Sequence, residues 1–390
     1  MRAAAFPIGA AVTLTELEAD PHPVLARLRE HEPVSWLPAL DGWLVTRRDL
    51  VMDVMRDPDT FTVDDPRFST GQVVGPSMLT LDGAAHKRHR DPWARPFRLD
   101  AVRERFSAPV AAEADRLIDA IAQAGEAELR RELAGPLATA AVTHALGLQE
   151  AGTAEVLGWY DAIVASVTEI TAGGAPTEAG RRGFEELRDA IEPVLERGAE
   201  TSLVAAAAGD AGGLLRGEVV SNAAVLLFGG IETTEGMIAN AIAHLLSNPA
   251  QLAAVLAEPE LLANAIEESL RLEPAAAVLD RYATRDVEFG GAAIRRGDLV
   301  RISVTAANRD PDVFPDPDRF DVERPNAARH LAFARGPHVC IGMHLARLEA
   351  HAAVGRLLAR LPGLRLDPDH PAAPRGLVFR KPPELRVLWS

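Results

Sequence analysis

Residues 219–246 are apolar on nearly every side of a helical projection, the pattern of a helix driven through the middle of a large protein rather than laid on its surface. Such a helix needs neighbours all round, so the chain must be long enough to wrap it. At 390 residues, 47% of them apolar, it can build that core without disulfides or a structural metal. The interior of the helix breaks local rules. Gly229-Gly230 costs roughly 1 kcal/mol per glycine relative to alanine, and Glu232 places a charge inside the apolar run. Departures of this kind collect at functional sites, which makes this turn of helix the first candidate.

The helical period holds from about residue 101 to 272, as in 103–123 and 259–272, so most of the chain reads as helix. Short strand-like runs at 34–36 and 42–46 are mixed with helices and with the turns Asp57-Pro58 and Asp65-Pro66. Strand character returns between 281 and 305, where Val287, Phe289, Ile294, Val300, Ile302 and Val304 are punctuated by Gly290-Gly291 and Gly297-Asp298. The expected fold is therefore mainly α with a small β region. With no internal repeat and no long Ser/Gly linker, residues 1–390 read as one unit, and the Ala- and Gly-rich stretch 205–213 reads as a surface connection between helices.

Asp+Glu 56 against Lys+Arg 41 gives a net charge of -15, which argues against nucleic acid as the main partner. No window reaches the run of about 18 apolar residues that a membrane span requires, and in 1–12 Pro7 and Gly9 interrupt an apolar start that carries only Arg2, unlike a signal peptide. A single cysteine cannot form an internal disulfide, so a reducing compartment, the cytoplasm, is expected and the thiol needs its own explanation.

That thiol lies in Phe333-Ala334-Arg335-Gly336-Pro337-His338-Val339-Cys340-Ile341-Gly342. Gly336 permits a tight turn, and Gly342 permits a flat ligand to approach the backbone. Met343, Leu345, Ala346, Leu348, Leu357 and Leu358 continue as a helix to about residue 360, which puts Cys340 at a helix N-terminus where N–H groups and the dipole favour a thiolate. Taken alone, a lone cysteine is more often a small buried hydrophobe.

The segment resembles the haem-binding loop of the cytochrome P450 family, Phe-Gly-x-Gly-x-His/Arg-x-Cys-x-Gly: Phe333, Gly336, His338, Cys340 and Gly342 match, and Ala334 replaces the first glycine. Glu268-Ser-Leu-Arg271 resembles the family's Glu-x-x-Arg, with Asn308-Arg309-Asp310-Pro311 and Pro317-Asp318-Arg319-Phe320 between it and the cysteine. Three-residue spacing puts Glu268 and Arg271 on one helical face. The resemblance implies a P450 fold with haem b held between the long central helix and the helix after the cysteine. Cys340 is then the iron ligand, and Glu268, Arg271 and Arg319 form a structural triad that holds the loop.

Two haem propionates call for directed cationic partners. The resemblance supplies His86 and Arg90 from His86-Lys-Arg-His-Arg90, Arg281 from Arg281-Tyr-Ala-Thr, and His338. Read singly, each is as well explained as a surface base, and Asp91-Pro92 is unusual inside a helix. Gly229-Gly230-Ile231-Glu232-Thr233-Thr234 resembles Ala/Gly-Gly-x-Asp/Glu-Thr, in which a widened helical turn admits dioxygen. Thr233 would then hydrogen-bond the oxygen, Glu232 would relay protons from solvent, and Gly229 and Gly230 would leave space over the iron. The plainer reading is a helix-bonded threonine and a glutamate paired with a core arginine.

By the same resemblance, electrons derived from NAD(P)H arrive from a separate ferredoxin or flavodoxin with its reductase, docking on a basic patch for which Lys87, Arg88, Arg95, Arg98 and Arg103 are candidates. The substrate is a small hydrophobic molecule. Residues 61–85, 159–188, 275–279 and 377–379 would line its pocket, with Val74, Met78, Leu79, Val278, Leu279 and Phe379 making it apolar and Ala275-Ala276-Ala277 leaving it roomy. Peroxide-driven or coupling chemistry and a non-catalytic haem sensor or carrier are the rival functions; the acid-alcohol pair counts against both.

Overall fold

The computed structural model describes residues 2–171, 174–197, 202–209 and 213–390. At its centre the helix Arg216–Ser247 runs 32 residues, about 48 Å at 1.5 Å per residue. Val219, Val220, Ala239 and Asn222 are buried on different sides of it, as the unbroken apolar pattern requires. It starts where the Glu218 carboxylate accepts the Leu215 N–H at 2.8 Å and stops at Asn248, whose amide donates back to the His244 carbonyl at 2.8 Å before Pro249. Gly135–Leu146, Leu261–Leu272 and Met343–Arg360 pack against it. Thr153–Thr171 and Glu178–Leu195 form an antiparallel pair above.

Two of the expected helices appear, slightly shifted, as Leu99–Ile121 and Leu261–Leu272. Met343–Arg360 matches its expected end. The strands gather into a five-stranded sheet in the order Val34–Leu37, Gly42–Val45, Leu299–Ser303, Val278–Ala283, Phe61–Thr62. Its first pair is set in register by Trp36 opposite Trp43, whose rings meet edge-on at 5.5 Å. Gly290 and Gly291, both with positive φ, turn the separate hairpin Val287–Phe289/Ala292–Ile294.

Two expectations fail for local reasons. Val304 opens a short helix instead of extending the last strand, because the Ser303 hydroxyl caps it by accepting the Ala306 N–H. Part of the supposed surface connection at 205–213 is the helix Leu203–Gly209, with Ala205 and Ala207 buried. Alanine is the strongest helix former, and here it also packs; residues 210–212 lie outside the described residues.

The segment leading to the cysteine carries little regular structure beyond Ala327–Arg329 and is tied down by ions. Glu268 and Arg271 are fully buried and bidentate, at 2.7 and 2.8 Å. The third member of this cluster is Arg324, whose Nε donates to Glu268 Oε1 at 2.8 Å. This corrects the triad expected with Arg319. The Arg319 side chain is 63% exposed and reaches only Asp321, at 3.5 Å; what it offers the cluster is its backbone carbonyl, which accepts from Arg271 and Arg324. Asp316, with φ of 47°, turns the chain just before it. Arg324→Met should cost about 3–5 kcal/mol of unfolding free energy by stranding Glu268, whereas Arg319→Met should stay within about 0.5 kcal/mol in the same denaturant titration.

Candidate active site

The cysteine loop closes on itself through backbone bonds, Cys340 N–H to the Phe333 carbonyl at 2.8 Å and Ala334 N–H to that of Leu331 at 2.8 Å. Gly336 (φ 75°) leaves no alternative: a Cβ there would lie 2.4 Å from the Met55 carbonyl oxygen. Ala334 occupies the left-handed region at φ 57°, the conformation a glycine in its place would take without strain. Phe333 is wedged between the Arg347 guanidinium, 4.5 Å above its ring, and His330, and both of those side chains engage Glu267.

Cys340 is exposed, yet enough protein surrounds it that burial pushes its thiol up, opposed by the Gly342 and Met343 N–H groups and by Arg90 and Arg347. Both hold for a side chain on the wall of an internal void. Open space lies at two of the three glycines expected to leave room for a flat ligand, since a Cβ on Gly229 or Gly342 would meet nothing within 4 Å. Gly230 differs: its Cβ would strike Val142 at 2.3 Å, so this glycine lets Gly135–Leu146 approach the central helix and does not leave room over a ligand.

His86, Arg90, Arg281 and His338 come together from three segments distant in sequence. His86 and Arg90 sit on Gly83–Ala94, with Pro92 tolerated in its last turn. Arg90 donates to the Val339 carbonyl at 2.6 Å, beside the cysteine. The His86 and His338 rings lie 4.3 Å apart. Burial, together with His338 and Arg90, pushes His86 down to about 4, and its Nε2 is buried without a hydrogen-bond partner. Arg281 is 6% exposed and makes one bond, to the Asp280 carbonyl at 2.7 Å, with no ion pair among the described residues. The carboxylate in this group is Asp82, bonded to His338 Nε2 at 2.7 Å and also to Thr62 and Val63. Burial would raise Asp82, but those bonds hold it down at about 2. Four nitrogen side chains against one carboxylate, one of them a buried guanidinium and another with an unpartnered nitrogen, suit a dianionic ligand.

On the central helix Thr233 donates to the Gly229 carbonyl at 2.6 Å, the helix-bonded arrangement. Glu232 is buried and pairs with no arginine among the described residues. It accepts from the Tyr160 hydroxyl and pairs with Lys381 at 2.8 Å. Lys381 also holds Glu235 at 2.7 Å, and Glu235 pairs with the buried Arg130 at 2.9 Å. Tyr160, Glu235, Lys381, Arg130 and Asp82 were not anticipated. Glu235, three residues after Glu232 in the same apolar run, was the visible signal; the others join through tertiary contacts. Glu349, on the cysteine helix, has a buried unpartnered Oε2, and burial raises its carboxyl well above the usual range.

Toward the expected substrate pocket, Val74, Met78 and Val278 are buried, and Phe379 meets Phe228 edge-on at 5.6 Å. The alanine stretch is less open than expected: Ala275 and Ala277 are buried beneath 378–380, bonded through Ala277 N–H to Val378 O and Arg380 N–H to Ala275 O. An accessible thiol, two arginines and two histidines gathered around one carboxylate, and a buried acid beside an alcohol are parts that a haem-dependent oxygenase requires.

The profile of the family described as "Cytochrome P450" matches residues 186–385. The chain is 36% identical to the cytochrome P450 monooxygenase PikC of Streptomyces venezuelae, covering 96% of this chain and 90% of that protein. It is also 36% identical to nocardicin C N-oxygenase of Nocardia uniformis subsp. tsuyamanensis, covering 98% of each. The crystal structure of CalO2 superposes with a TM-score of 0.87 at 32% identity, covering 97% of this chain and 99% of that one. The chain belongs to the cytochrome P450 family. It is a monooxygenase that uses haem b, electrons derived from NAD(P)H through redox partners, and hydrophobic substrates. Among the described residues no helix is long and apolar enough to cross a membrane.

Two measurements test the local physics. Ala334→Gly should raise the unfolding free energy by about 0.5–1 kcal/mol, the left-handed penalty less the entropy that glycine loses. For His86 the unfolded chain takes up its proton near 6.5, whereas the folded chain waits until about 4. The haem-free protein should therefore lose about 3 kcal/mol as pH falls through that window, and His86→Phe should remove that part of the decline.

Proposed function

We propose that Cys340 would be the protein ligand of the haem iron, that His86, Arg90, Arg281 and His338 would hold the propionates, and that the enzyme oxidises a hydrophobic intermediate of secondary metabolism in the cytoplasm. The observation that carries this reading is the convergence of the cavity-facing thiol with the unpartnered His86 Nε2 and the buried, anion-free Arg281. Haem bound there supplies dioxygen activation, with thiolate donation favouring O–O cleavage. Gly229 keeps the approach open. Thr233 Oγ1, which donates to the Gly229 carbonyl, would be the hydroxyl placed to hydrogen-bond dioxygen, and Glu232, held by Tyr160 and Lys381, would be the acid placed to relay protons from solvent. Apolar Val278, Phe228 and Phe379 keep bulk water from the reacting atoms.

Electrons are proposed to come from a ferredoxin or flavodoxin. Two of the five candidate cations are already engaged, Lys87 with Asp91 and Arg88 with Glu218. Arg95, Arg98 and Arg103 are exposed and have no ion pair among the described residues, so the docking patch contracts to them.

The reduced protein with carbon monoxide should show the thiolate-ligated absorption band, and Cys340→Ser should abolish it while retaining the fold; a band unchanged in that variant overturns the ligand. With a substrate in hand, Thr233→Ala should keep NAD(P)H consumption but lower product per NAD(P)H by about tenfold or more, and undiminished coupling removes Thr233 from the mechanism.

A further inference from the structure

The chain has two lysines, Lys87 and Lys381, against 41 Lys and Arg in all. Lys87 is exposed on a helix; Lys381 is 14% exposed and carries two ion pairs. Where nearly every cation is arginine, a lysine inserted between two buried carboxylates is a different choice: a compact charge on a flexible stem, able to serve two anions that are not coplanar.

The C-terminal segment 375–381 is shaped to deliver it. Gly376 (φ 114°) makes a turn that no Cβ could enter, since one would lie 2.1 Å from the Phe379 carbonyl oxygen. Arg375 and Lys381 then bond to each other's backbone. Beyond the turn the side chains alternate, as in a strand. Phe379 meets Phe228 of the central helix. Arg380 points the other way, into the Glu273 carboxylate at 2.7 Å and the carbonyls of Leu17, Glu18, Gly376 and Pro374. Lys381 returns to the central helix. Gly236, one turn beyond Glu232, clears its path: a Cβ there would lie 2.9 Å from the Ala275 Cβ and 3.6 Å from the Lys381 stem.

We propose that Lys381 is a positioning residue for the acid on the central helix, holding the Glu232 carboxylate against the Tyr160 hydroxyl, while Glu235 competes for the same ammonium and limits its hold. The proposal rests on Glu232 acting as the proton relay. The groups facing that carboxylate are Tyr160 and Asp161 from Thr153–Thr171, Lys381 from the C-terminal segment and Glu235 from its own helix, with Arg130 behind Glu235 and Arg131 behind Asp161. Burial, with Glu232 and Glu235 nearby, pushes Tyr160 and Asp161 up, so both stay protonated more readily and Lys381 is the cation in direct contact.

Two substitutions should move the enzyme in opposite directions. Lys381→Met removes the cation, which favours the protonated carboxyl, so the pH above which coupling is lost should rise by about 1–3 pH units, and product per NAD(P)H at the optimum should fall about tenfold. Glu235→Gln leaves the ammonium to Glu232 alone, and the same limit should move down. A residue that merely stabilised the fold would not give shifts of opposite sign. A second readout needs no turnover: Lys381→Met strands buried carboxylates, so its melting temperature should fall well below the parent at pH 8 and approach it toward pH 5. Equal pH profiles in both variants, or a melting deficit independent of pH, overturns the proposal. If Glu232→Gln leaves coupling undiminished, the relay reading of Glu232 fails instead, and the melting series still decides whether Lys381 neutralises the pair.

Discussion

The cysteine loop stays where it is because one buried carboxylate, Glu268, is shared by two arginines, Arg271 and Arg324. Removing these charges from water is expensive, and the expense is met only when all the donors are occupied. Here every guanidinium nitrogen has at least one acceptor: besides Glu268, Arg271 reaches the carbonyls of Asn308, Pro317 and Arg319, and Arg324 those of Pro315, Asp316 and Arg319. A segment with almost no regular structure is thereby fixed at several points along its length. Asn308, whose carbonyl is one of those points, accepts the Leu331 N–H through its side chain, two residues before Phe333. The ion cluster thus sets the loop geometry through backbone carbonyls, and the identity of many intervening side chains matters little.

The central helix separates two electrostatic problems that are solved in opposite ways. Around the cysteine loop, nitrogen side chains outnumber carboxylates, and the imbalance is expressed as a depressed His86 and a nearly unbonded Arg281. Around Glu232 the charges are closely matched, two carboxylates against Lys381 and Arg130. The first arrangement is incomplete without a further anion; the second is complete as it stands and so can hold a proton donor in a fixed place.

Where the pattern is periodic, the sequence was easily read. The all-round apolar run became Arg216–Ser247, and the residues after Cys340 became Met343–Arg360. The loop residues Phe333, Gly336, His338 and Cys340 lie in one short segment, so local spacing already places them together. Arg319 was misread because its tetrapeptide sits at the right distance along the chain, yet the turn at Asp316 presents its carbonyl to the cluster and sends the side chain to solvent. Gly229 and Gly230 are adjacent and looked alike, but only the neighbouring Val142 reveals that one faces space and the other faces a helix. Tyr160 and Lys381 reach Glu232 across 72 and 149 residues of chain, a separation over which spacing carries no information.

The position of Cys340 has a consequence for how this protein ages. Its thiol is exposed, and the chain has no second cysteine with which to form an internal disulfide. An oxidant that reaches the sulfur can carry it outward along the ladder to sulfenic, sulfinic and sulfonic acids, or into mixed disulfides with other thiols. Any of these ends the ability of the sulfur to serve as a metal ligand. Keeping oxidants from this one sulfur is therefore a condition for any role in which it acts as a ligand.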